Sequence, residues 1–142
     1  MTLGEFEARF VDGIGGAVRA GIWSICKDRV INRIAKLQIK CELWLDGSFI
    51  TKCDAPKDID GSIMIHDSDV QNCCPITLDF LENFDDAEPP FHPSLDLYLC
   101  ILYPAGHPLR GSETGDPDGW AEQWSRERNS TWLKGFAVIP FR

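Results

Sequence analysis

A short apolar stretch, Leu43-Trp44-Leu45, ends on Asp46-Gly47-Ser48, and after nine intervening residues the chain reads Asp58-Ile59-Asp60. Each part suits polyphosphate and cation chemistry. A glycine and a serine at a strand end let backbone N–H groups come close to a triphosphate, and the Ser48 hydroxyl supplies one more donor. Because strand side chains alternate, Asp58 and Asp60 leave one face while Ile59 enters the core. Two carboxylates so placed repel each other unless a cation lies between them. Mg²⁺ takes one or two carboxylates together with substrate phosphates, at about 2.0–2.1 Å. A further acid, Asp96, interrupts the otherwise apolar run from Leu95 to Tyr103. A third carboxylate on a neighbouring strand allows two ions about 3.5–4 Å apart to activate an attacking hydroxyl and stabilise a leaving pyrophosphate.

The elements that must hold these groups can be drawn from periodicity and punctuation. Thr2 and Glu5 form a capping-box pattern that opens a helix through about Phe10, and Gly13, Gly15 and Gly16 end it. From Ala17 to Leu37, Val18, Ile22, Ile25, Cys26, Val30, Ile34 and Leu37 recur at three and four, which predicts the longest helix. Strands are expected at Glu42–Leu45, Asp58–Ile65, Leu95–Tyr103 and Phe136–Ile139, and a short helix after Pro75. Residues 104–119, rich in Pro and Gly, predict a loop, and Trp120 to about Arg128 a helix.

Length and charge narrow the classes. At 142 residues and 44% hydrophobic the chain suits a single domain, residues 1–142. A net charge of −8 repels phosphate backbones and disfavours unaided binding to duplex DNA or RNA. No run approaches the roughly 18–20 apolar residues of a membrane span, and Glu5 and Glu7 stand where a leader would carry positive charge, so a cytoplasmic protein is expected. The six cysteines are then reduced thiols, with no C-x-x-C spacing of the kind structural zinc sites use.

The hydrophobic-Gly-Ser, Asp-hydrophobic-Asp and later strand Asp pattern resembles the minimal nucleotidyltransferases of the DNA-polymerase-beta-like superfamily. More closely, Thr2-Leu3-Gly4-Glu5-Phe6-Glu7-Ala8-Arg9-Phe10, Leu43 to Phe49, Asp58-Ile59-Asp60, Tyr103-Pro104-Ala105-Gly106-His107-Pro108 and Lys134-Gly135 look like a poorly characterised bacterial nucleotidyltransferase-like family. The likeness spans roughly the whole chain. It implies an α+β fold with a small mixed sheet backed by helices. Gly47 and Ser48 would hold phosphate, Asp58 and Asp60 would bind Mg²⁺ or Mn²⁺, and Asp96 would complete a catalytic and metal-binding triad. It also implies an NTP substrate and a hydroxyl acceptor on a partner protein or tRNA, as in compact members of toxin–antitoxin or phage-defence pairs.

Gly61-Ser62 departs from that pattern, because hydrophobic residues normally continue the strand there and a glycine weakens or kinks it. A kink would re-aim Asp60. Two readings therefore stand: a Mg²⁺-dependent nucleotidyltransferase, or a catalytically weak binding module of the same fold acting as an antitoxin or assembly partner. The chain shows no further helical domain to grip a base, which leaves base selectivity to loops or to a partner subunit. Plainer roles exist for each residue: a solvated pair for Asp58 and Asp60, a hydrogen-bonded acid for Asp96, a turn for His107, and surface cations for Arg110, Arg126, Arg128 and Lys134. The five tryptophans read as core, and none is assigned to base stacking.

Overall fold

Two sheet faces of opposite character come directly from the alternation in four short segments. The structure, a computed structural model, describes residues 1–84, 91–111, 118 and 135–142. Strands β1 (Cys41–Asp46), β2 (Ile59–His66), β3 (Leu95–Leu102) and β4 (Ala137–Phe141) form one sheet in the order β3-β2-β1-β4. β1 runs antiparallel to β2 and β4, while β2 and β3 are parallel, so the sheet is mixed and the fold is α+β. A parallel neighbour requires a crossover, and helices α4 (Asp67–Gln71) and α5 (Pro75–Glu82) lie in it.

One face is apolar throughout. Leu43, Leu45, Ile59, Ile63, Ile65, Leu95, Leu97, Leu99, Ala137 and Ile139 all belong to a single core cluster with residues of the N-terminal helices. Helix α1 (Leu3–Phe6) carries the expected capping box: Glu5 N–H donates to Thr2 Oγ1 at 3.2 Å and Thr2 N–H to Glu5 Oε2 at 2.7 Å. It continues through a wider turn of π type to Asp12, short of Gly15 and Gly16 at positive φ. Helix α2 (Ala17–Cys26) passes through a second wide turn, Lys27–Ile31, into α3 (Asn32–Lys36).

The buried stripe of this long helix differs from the expected one at its start. Val18 is 52% exposed and Arg19 is 0% exposed, so the inward face begins Arg19, Ile22, Trp23, Cys26 and continues to Val30 and Ile34. The side chain that reverses the hydrophobic rule does so because backbone acceptors meet it inside. At the crossover, Pro75 occupies the first turn of α5 as expected, and Cys74 is its N-cap. The helix expected at 120–128 and Lys134 lie outside the described residues.

Among the cysteines, burial pushes the Cys26 and Cys41 thiols up to about 12, and burial also raises Cys73. Cys74 is exposed, and hydrogen bonds from Thr77 hold its thiol below the ordinary range. Nucleophilicity follows the thiolate. With limiting iodoacetamide at neutral pH, peptide mass spectrometry is expected to find Cys74 alkylated ahead of Cys26, Cys41 and Cys73. Its rate should fall at a lower pH than theirs as the thiolate is protonated. Equal labelling of Cys26 and Cys74 in the folded chain would contradict the assignment.

Candidate active site at the Gly47 corner

The second sheet face carries the polar residues, and the strand register arranges them in rows. Asp46 on β1 stands opposite Asp60 on β2, and Asp60 stands opposite Asp96 on β3. The next row is Trp44, Ser62 and Tyr98, and the one after it Glu42, Met64 and Cys100. Three aspartates thus occupy one row on three neighbouring strands, at the end of the sheet where β1 turns. Asp46 is 3% exposed, whereas Asp60 and Asp96 are half-buried.

β1 ends in a corner built around one glycine. Gly47 has φ +74°, a conformation side-chain-bearing residues adopt at a cost, and Ser48–Ile50 follow as a single 3₁₀ turn. A Cβ on Gly47 would lie 1.7 Å from Asp60 Oδ2. The Asp60 carboxylate therefore leans toward β1 and rests against the bare Cα of Gly47. The need for glycine at this position is met inside the protein, by the acid on the next strand. Asp58 is half-buried and directly precedes β2, one residue outside the strand expected to contain it.

Behind the corner, aromatic packing and a buried cation fix the loop. Phe49 is fully buried and its ring lies 6.4 Å from Phe6 and 6.0 Å from Trp23, joining the N-terminal helices to the turn after Ser48. The Arg19 guanidinium sits 4.9 Å from the centroid of that ring and donates to the carbonyls of Phe49, Thr51 (3.1 Å) and Cys53 (2.6 Å). Thr51 Oγ1 closes the turn by donating to Ser48 O at 2.8 Å. The turn after Gly47 is thus held from the core side.

Gly61 and Ser62 do not interrupt β2. Every residue from Ile59 to His66 pairs in register with Leu95 to Leu102, so the expected kink is absent. A Cβ on Gly61 would lie 2.3 Å from the Trp44 carbonyl oxygen, so glycine here permits close approach of β1 to β2. Ser62 is fully buried, and its Oγ has no hydrogen-bond partner. It lies in the row beside Asp60.

Of the acids picked from the sequence, the register puts Asp60 and Asp96 in one row, Asp60 rests against Gly47, Ser48 opens the adjoining turn, and Asp58 lies outside the row, just before β2. Asp46 and Arg19 are not among the residues picked. Among the described residues, no group of three or more His, Cys, Asp or Glu side chains stands close enough to hold a metal ion. Two carboxylates on adjacent strands fit a cation that takes its remaining ligands from phosphate and water. Cavities of about 600 and 630 Å³ lie elsewhere, one between the N-terminal helices near Glu7 and Trp23, the other near His66 and Phe141 at the opposite end of the polar face.

A family model matches residues 1–140, nearly the whole chain. The chain belongs to DUF6932, a family of unknown function. No curated protein and no solved structure matches it. In this DUF6932 chain the Gly47 corner and the acid row are the features that bear on function. Among the described residues, no helix is long and apolar enough to cross a membrane.

Proposed function

We propose that this DUF6932 chain is a Mg²⁺-dependent nucleotidyltransferase that moves a nucleotidyl group from an NTP to a hydroxyl acceptor. The observation that carries the reading is the register of Asp60 with Asp96, in the row that ends at the Gly47-Ser48 corner. Asp60 and Asp96, with Asp58 at the entry to β2, would hold the cation, which would neutralise phosphate charge. Gly47 and Ser48 would position the triphosphate, so that the acceptor hydroxyl bonds to its α-phosphorus as pyrophosphate leaves. Mn²⁺ suits the same oxygen ligands. Resemblance to compact nucleotidyltransferases suggests a protein or tRNA acceptor and a place in a cytoplasmic toxin–antitoxin or phage-defence pair.

The alternative is a binding module of the same fold without turnover. Gly61-Ser62 is one of several features that favour it, and the continuous pairing of β2 with β3 bears on that feature alone. Incubation of the chain with α-³²P-labelled nucleotides, Mg²⁺ and lysate of the source cells is expected to label a protein or an RNA. The Asp58→Ala, Asp60→Ala double variant should abolish the label while keeping a cooperative melt. Undiminished labelling by that variant would remove the assigned site, and partner capture that survives loss of all three acids would favour the module.

A further inference from the structure

Arg19 is 0% exposed, and the acceptors its guanidinium reaches are backbone carbonyls: those of Phe49, Thr51 and Cys53. Among the described residues it forms no ion pair, and its Nε–H is buried without an acceptor. A guanidinium taken out of water without a carboxylate beside it retains a strong field, because the surrounding protein screens it poorly. Its rigid fork of donors suits it to bind several carbonyls at once, which gives it a role a shorter neutral side chain could not fill.

The direction of the bound carbonyls supplies that role. In a planar trans peptide the N–H points opposite to the C=O. The Thr51 and Cys53 carbonyls both turn inward onto Nη2, at 3.1 and 2.6 Å. The amides of Lys52 and Asp54, which share those two peptide units, therefore point outward. Within the described fold neither amide donates a hydrogen bond, whereas the intervening Cys53 N–H donates to Thr51 Oγ1. Oriented backbone amides of this kind form anion receptors. Lys52 and Lys57, both exposed, add positive charge to the loop, while Asp54 and Asp58 oppose it.

We infer that Arg19 is a positioning residue that orients the loop between β1 and β2, so that the outward amides of Lys52 and Asp54 receive the anionic end of a polyphosphate held at the Gly47-Ser48 corner. The identity of the anion rests on the function proposed above. The binding geometry rests on Arg19 alone.

Amide ¹H–¹⁵N spectra of the full chain, titrated with inorganic tripolyphosphate in the absence of divalent metal, test the inference. Saturable shifts at the Lys52 and Asp54 amides, among the largest in the chain, are expected. Arg19→Lys keeps the charge but cannot span three carbonyls, and should weaken this binding by about tenfold with a cooperative melt retained. Shifts that leave those two amides unmoved overturn the inference, as does wild-type affinity in a folded Arg19→Lys. Metal-free binding does not call on the aspartates, so the two claims separate. Loop binding without Mg²⁺-dependent transfer removes the enzyme and keeps Arg19's role, whereas transfer with silent amides does the reverse.

Discussion

Gly61→Ala is expected to destabilise the fold by about 3 kcal/mol or more, from overpacking in the middle of the sheet. The added Cβ would stand 2.3 Å from the Trp44 carbonyl oxygen, 3.0 Å from Leu45 Cδ2 and 3.2 Å from Leu97 Cδ2. Side chains can move aside, but the Trp44 carbonyl belongs to the backbone of the paired strand. Relief therefore requires β1 and β2 to separate at the row next to the acids, weakening ladder hydrogen bonds on both sides. Gly21→Ala in α2 is the contrasting case. Nothing lies within 4 Å of its Cβ position, and alanine is the better helix former by about 0.5–1 kcal/mol, so this change should stabilise. Urea unfolding of the two variants checks both signs, and a Gly61→Ala midpoint equal to the wild type would refute the close-approach account.

These glycines show which parts of the fold are legible along the chain. The capping box at Thr2 and Glu5, the Pro75 helix start and the apolar run of β3 are local patterns, and the structure has each of them near its expected place. Local reasoning treated Gly61 as a strand defect because it assigns glycine an entropic cost and cannot see Trp44 on the neighbouring strand. Asp46 escaped notice for a similar reason. Its place beside Asp60 depends on how a loop of more than ten residues closes, and that closure sets the antiparallel register. Arg19 was hidden by its type, since a hydrophobic count along α2 favours Val18 at the surface-facing position next to it. A search for cations flanked by buried aromatics on the inward face of a helix would have raised Arg19 as a candidate, while the carbonyls that satisfy it lie 30 to 34 residues away.

Gly47→Ala should damage function out of proportion to stability. At φ +74° and ψ −163° its backbone lies in a region essentially confined to glycine, which costs a residue with a side chain about 1–3 kcal/mol, and that cost alone would leave most of the domain folded. The second effect falls on Asp60, whose Oδ2 would lie 1.7 Å from the new methyl carbon and whose Cγ would lie 2.6 Å from it. The carboxylate must rotate off the corner, away from its place between Gly47 and the Asp96 strand. Mg²⁺-dependent nucleotide binding is therefore expected to fall by at least about tenfold, and transfer further, because a displaced ligand harms the reacting geometry more than the ground state. Gly106→Ala is the control: φ there is +83° and nothing lies within 4 Å, so it carries a positive-φ cost without touching an acid. Calorimetric titration of Mg²⁺ and nucleotide into both variants, alongside their melting curves, makes the comparison. Equal loss of binding in the two would reduce Gly47 to a turn residue, whereas loss confined to Gly47→Ala ties the corner to the position of Asp60.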